Sequence, residues 1–132
     1  MRSLRYISPH FYNFSLLLIH RTNLKRIYKT ISKEIGKNKR VLDLGCATAN
    51  LYRYLHKSNS YIGFELNEKF VDYCRKRGID VRKIDMFEFE KYPEVDVIVI
   101  CGVLHHVYPK HETLLKRTIQ KAKVIVCEDE RR

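Results

Sequence analysis

Residues 95–101, VDVIVIC, form an almost unbroken apolar run. A strand with one wet face alternates polar and apolar side chains, so this run asks for cover on both faces. With 132 residues the chain has room for one domain and one modest core, hence one sheet between two helical layers. The flanking pattern agrees. Residues 40–44, 61–65, 80–84, 96–101 and 124–127 read as strands, and 50–57, 68–77 and 111–121 as helices. Strand and helix alternating in short spans imply right-handed crossovers and a mostly parallel sheet of about five strands. No internal repeat or low-complexity segment interrupts them.

The N-terminal third differs in charge. Of the net +11, residues 1–40 supply most, with ten Lys/Arg against the single acid Glu34. Residues 11–35 carry a helical pattern, broken near residues 22–23, in which Leu24, Ile27, Ile31 and Ile35 share one face. Tyr6, Phe11, Tyr12 and Phe14 cluster ahead of it. A basic, aromatic segment can meet RNA, DNA or an acidic membrane surface, and it can equally be a solvated helix face. We therefore expect residues 1–39 to be a basic helical extension on a core of residues 40–128, with RNA through residues 1–40 as one candidate partner. The four cysteines (46, 74, 101, 127) form no C-x-x-C pair. A zinc or redox motif is thus not expected, and a reduced, cytoplasmic protein is. The longest N-terminal apolar run, residues 16–19, is far too short for a signal core or a bilayer span.

The chemistry concentrates in residues 40–51, RVLDLGCATANL. A strand that breaks at Gly45 into a small-residue loop feeding a helix aims backbone N–H groups at one spot, which suits a polar cofactor. Asp43 lies inside that strand, where a carboxylate needs a partner; a loop clamp and a cofactor contact both remain open. Glu65 ends the second strand and Asp85 follows the third. Parallel strands bring these ends to one crevice. There Glu65 is placed to accept ribose hydroxyls and Asp85 to meet an exocyclic amine. The arrangement describes an adenosine site without a phosphate cradle. A dinucleotide fingerprint would need glycines where the chain has Ala47 and Asn50, and no Walker-type G-K-[ST] follows.

At these residues the chain resembles the class I S-adenosylmethionine-dependent methyltransferases. VLDLGCATA corresponds to the family's first motif and GFELN to the acidic end of strand two. IDMFEF corresponds to the segment after strand three, and VDVIVICGVLHHV to the fourth-strand motif. The resemblance implies a three-layer, Rossmann-like α/β fold with sheet order 3-2-1-4-5, S-adenosyl-L-methionine as cofactor, and methyl transfer. It implies that Gly45, Cys46 and Ala47 lie beneath the methionine moiety and that Asp43 helps hold its ammonium. Glu65 would bind the ribose, Leu66 would flank the adenine, and Asp85 with Met86 would hold its amino group and ring. Cys101 and Gly102 would border the sulfonium. His105 and His106, just after strand four, are the candidates for a general base.

Two departures bear on activity. The second and third glycines of the first motif are Ala47 and Ala49, costly where φ must be positive. The family's sixth and seventh strands have no counterpart, so strand five is expected to be an edge, open to a second copy or a partner. Dimerisation through that edge, a fragment and a naturally minimal form are the three explanations, and the charged tail, residues 128–132, would blunt the edge and favours the third. The fourth-strand motif lacks the Asn/Asp-Pro-Pro-aromatic form that accompanies methylation of exocyclic base amines. It resembles relatives acting on small molecules, lipids, quinones or tRNA wobble uridines. The acceptor is thus a small molecule or RNA. Two alternatives stand beside the enzyme: a non-catalytic cofactor-binding subunit, and a nucleic-acid-binding module on a degenerate fold.

Overall fold

The computed structural model describes residues 8–10, 13 and 23–128. The expected aromatic cluster at residues 6, 11, 12 and 14, and the tail beyond residue 128, lie outside the described residues. Five parallel strands form the sheet, in the order β3-β2-β1-β4-β5. β1 (Arg40–Leu44) pairs with β2 (Ser60–Phe64) and with β4 (Val97–Cys101). β3 (Val81–Arg82) adds beyond β2, and β5 (Lys123–Cys127) beyond β4. The central strand position of the VDVIVIC run is as expected: Val97, Ile98, Val99 and Ile100 are all buried.

The pleat divides the core into its two faces. Leu42, Leu44, Phe64, Ile98 and Ile100 point to one side and pack with Val103 and Leu114. Leu114 belongs to α4 (His111–Ile119). Val41, Val97 and Val99 point to the other side, against Ile31 and Ile35 of α1 (Asn23–Ile35). Beside them Tyr61 and Val81 meet Val71 and Cys74 of α2 (Glu68–Lys76). α1 turns Lys25, Arg26, Lys29 and Lys33 to solvent while its isoleucines enter the core. α2 is capped as its sequence suggests: the Asn67 side chain accepts from the Lys69 N–H, and Glu68 and Arg75–Lys76 sit at favourable ends.

Three elements depart from the sequence pattern. The helix expected over 50–57 is a 3₁₀ turn, Asn50–Tyr54. It starts from left-handed Ala49 and ends at extended Leu55, and its Asn and Tyr residues favour α-helix weakly. The third strand keeps only two residues, because past Arg82 the chain turns away and the Ile84 N–H bonds the Arg82 carbonyl. A single helical turn, α3 (Leu104–Val107), follows β4; a pattern of four residues is too short to register as helical. At the opposite, amino-terminal rim, Arg40 grips Asp96 through its backbone N–H and its guanidinium, holding that carboxyl down to about 2.

Candidate functional site

The candidate residues lie at or just past the carboxyl ends of β1, β2, β3 and β4. The β1 loop gets there by a backbone in which alternate residues are left-handed: Gly45 at φ 65, Ala47 at φ 51 and Ala49 at φ 57. Glycine at position 45 is required twice over. A Cβ there would sit 2.9 Å from Val103 Cγ2 and 3.4 Å from Met86 Cε. The contact shows that the first loop, the segment after β3 and the segment after β4 converge on one point. Gly63 has a similar role in β2, since a Cβ there would meet Cys46 Sγ at 2.6 Å.

Beneath the loop lies a buried polar pair. Asp43 is 5% exposed, and its Oδ2 accepts a 2.7 Å hydrogen bond from the Tyr61 hydroxyl. Burial pushes the Asp43 carboxyl up to about 7; the Tyr61 bond opposes the rise and the nearby Glu65 charge adds to it. Burial and Asp43 in turn push the Tyr61 hydroxyl well above its ordinary value. The Cys46 thiol is also driven upward by burial, then by Asp43 and Glu65, so it is an inert packing group rather than a nucleophile.

Glu65 closes the loop from the side. Its Oε1 accepts from the Ala47 N–H at 2.9 Å, and its Oε2 from the Leu66 and Asn67 N–H groups at 2.8 and 3.0 Å. Leu66 beside it exposes 53% of its surface. Asp85 is bonded within its own turn: Oδ1 accepts from the Phe87 N–H, and its own N–H donates to Glu88. Met86 is half-buried against the core, with its carbonyl accepting from the Tyr92 hydroxyl.

At the β4 end, Cys101 is the in-register partner of Cys127 on β5, and the Gly102 N–H donates to the Cys127 carbonyl at 2.7 Å. Burial, then Cys127, raises the Cys101 thiol. Gly102 is left-handed at φ 65, and a Cβ there would meet nothing within 4 Å, so its flank is open. His105 and His106 are exposed on α3 with ring centroids 3.9 Å apart.

Three participants were not foreseen from the sequence: Tyr61, Val103 and Glu128. The Glu128 carboxylate folds back to accept from the Val103 and Leu104 N–H groups at 2.9 and 2.6 Å, and lies 3.0 Å from His105 Nδ1. A signal for it existed, because it directly follows β5 as Glu65 directly follows β2. Among the described residues, no group of three or more His, Cys, Asp or Glu could hold a metal ion, and no helix is long and apolar enough to cross a membrane.

Residues 41–123 match the family model described as "Methyltransferase domain". The chain belongs to the methyltransferase-domain family. Among curated members, the trans-aconitate 2-methyltransferase of Mycolicibacterium gilvum (strain PYR-GCK) is 35% identical over 82 residues, covering 60% of this chain and 32% of that protein. This chain thus spans about a third of the length of the curated relatives it matches. A SAM dependent methyltransferase from Archaeoglobus fulgidus has the same fold, with TM-score 0.67 and 22% identity over 87% of this chain and 57% of that one. So does the N-terminal domain of EvdMO1, solved with SAH bound, with TM-score 0.68 and 18% identity over 80% and 49% of the two chains. The five-strand order of this methyltransferase domain is the one its sequence implied.

Proposed function

We propose that this methyltransferase domain binds S-adenosylmethionine at the carboxyl ends of β1, β2 and β4 and transfers its methyl group to an acceptor. The observation that carries the reading is the meeting of Gly45, Met86 and Val103, which draws the family's first, third and fourth motifs around one crevice. The chemistry of the donor set fits this cofactor. Glu65 and Asp85 on the rim and Asp43 buried beneath the loop supply the acceptors that hydroxyls, an exocyclic amine and an ammonium require. Exposed Leu66 supplies an apolar face next to Glu65, suited to a purine.

In this reading Gly45, Cys46 and Ala47 carry the methionine moiety, and Asp43 faces its ammonium from below. Glu65 takes the ribose, Leu66, Asp85 and Met86 the adenine, and Cys101 and Gly102 border the sulfur. The bound cofactor supplies a methyl group already activated on a sulfonium. The chain's own work is to align an acceptor in line with it and, where the acceptor is protonated, to take the proton. His105 and His106 stand at the open β4 rim for that task.

Calorimetry with S-adenosylmethionine and its demethylated product tests the site: Glu65→Ala should weaken binding at least tenfold, and binding indifferent to this change would sink the assignment. Incubating the protein with labelled cofactor and fractionated cell extract tests the transfer. Binding without a labelled product in any fraction would favour a second reading, a cofactor-binding subunit completed by a partner or a second copy. The outer edge of β5 supports that alternative: it pairs with no strand among the described residues, and Val126 there is 44% exposed.

A further inference from the structure

Glu128 sits one residue past β5, and the register of the sheet decides where it reaches. Cys127 is paired with Cys101 and accepts from the Gly102 N–H, so the next residue is delivered to the start of α3. There the carboxylate divides its oxygens. Oε1 takes the Val103 and Leu104 N–H groups, and Oε2 faces His105 Nδ1 at 3.0 Å. Burial works against the charge on Glu128, but hydrogen bonds from His105, Leu104 and Val103 prevail and hold its carboxyl below the ordinary value.

An ionised carboxylate only accepts. The 3.0 Å contact therefore requires the proton on Nδ1 of His105, which leaves Nε2 with the lone pair when the ring is neutral. The same carboxylate pins the backbone on which the ring is mounted, so both the tautomer and the placement of the imidazole come from one side chain.

We propose that Glu128 is a positioning residue that holds His105 as a proton acceptor at the β4 rim. The proposal rests on the methyl-transfer reading above. It also narrows the acceptor: a base is useful only where the attacking atom carries a proton, as in an alcohol, phenol or amine. A carboxylate attacks already ionised and needs none. Proton transfer would then run from the acceptor's nucleophilic atom to His105 Nε2 as its bond to the methyl carbon forms, while the carbon–sulfur bond breaks and its electron pair stays on sulfur.

The test reads the ring directly, in the full chain. Nitrogen-15 spectra at a pH where the imidazole is neutral should show His105 protonated at Nδ1 in the wild type. Glu128→Gln keeps one acceptor oxygen for the Val103 and Leu104 N–H groups and turns its amide NH2 toward Nδ1, so it should move the ring proton to Nε2. Glu128→Ala leaves Nδ1 without this acceptor and should give a mixture of tautomers. A wild-type ring protonated at Nε2, or an alanine variant identical to wild type, would overturn the proposal. Any labelled product from the extract assay should resist mild base; release of the label as methanol would mark a methyl ester and refute the acceptor class. Calorimetry with the demethylated cofactor separates the two readings, because failure to bind would strike the cofactor site and leave the tautomer result standing.

Discussion

The most exacting test of the site is the titration of Asp43. An unfolded aspartate titrates at about 3.9, and in the folded chain burial lifts this one to about 7. Between those values the folded protein keeps a proton that the unfolded chain has released. The stabilisation is therefore complete below about pH 4, declines as pH rises, and is gone above about pH 7. At about 1.4 kcal/mol per unit, three units come to about 4 kcal/mol. Asp43→Asn keeps the shape and the acceptor for the Tyr61 hydroxyl but never ionises. The variant should match wild type near pH 4 and exceed it by several kcal/mol at pH 8. Urea unfolding at intervals from pH 5 to pH 8, compared between the two proteins at equal m-value, gives the difference free of the six histidines both share. A difference that does not change with pH, or a variant less stable at pH 8, would refute the account of Asp43 as a buried carboxyl whose hydrogen bond among the described residues comes from Tyr61. If Asp43 also faces a cofactor ammonium, wild-type affinity should rise from pH 6 to pH 8 and stay level in Asp43→Asn.

Two further substitutions probe the loop. Ala47→Gly should stabilise by about 0.5–1 kcal/mol, because it relieves a left-handed alanine (φ 51) at a half-buried position. Ala49→Gly should be near neutral, since Ala49 is 1% exposed and a buried methyl is lost with the strain; thermal melts of both variants check this, and no gain in stability at Ala47 would contradict the strain argument. Gly63→Ala should destabilise by about 1–3 kcal/mol, because its Cβ would lie 2.6 Å from Cys46 Sγ. Combining it with Cys46→Ala should recover part of that loss, and simple additivity in unfolding free energies would count against the clash.

The sheet is readable because β1, β4 and β5 are rich in β-branched and leucine side chains, and because Glu65 and Glu128 directly follow β2 and β5. Ala47 and Ala49 could be singled out as occupying glycine positions, and both do adopt positive φ. What local pattern did not carry was register. Asp43 is paired with Gly63, and its partner Tyr61 reaches it from two residues earlier on the neighbouring strand. A phenol ring spans that diagonal, but nothing in either strand's own sequence announces the alignment. Glu128 was hidden differently. In sequence it opens a charged tail, and only the pairing of Cys101 with Cys127 turns it inward. The 3₁₀ turn at Asn50–Tyr54 departs from the expected helix because the residue that leads into it, Ala49, is held left-handed by the loop, a constraint that helix propensity does not contain.

Glu65 shows how structure sharpens a role that sequence assigns. A carboxylate offers about four acceptor sites, and three of those on Glu65 are already taken by backbone N–H groups. Among the described residues, Oε2 is saturated by Leu66 and Asn67, while Oε1 holds only Ala47. One ribose hydroxyl can join Oε1 as the site stands. A second can be accepted only if one backbone bond is released. The Ala47 bond is the natural one to give way, because Ala47 is the residue already held in left-handed strain. Glu65 braces the first loop, and in the proposed reading it also accepts the ribose, so the two duties compete. It follows that Glu65→Ala removes a hydrogen-bond partner from three N–H groups as well as one from the cofactor. Glu65→Gln divides the duties, keeping one acceptor oxygen and surrendering the other. Its binding should therefore fall between wild type and alanine, with a fold still braced at Ala47 if the remaining oxygen takes the Oε1 place.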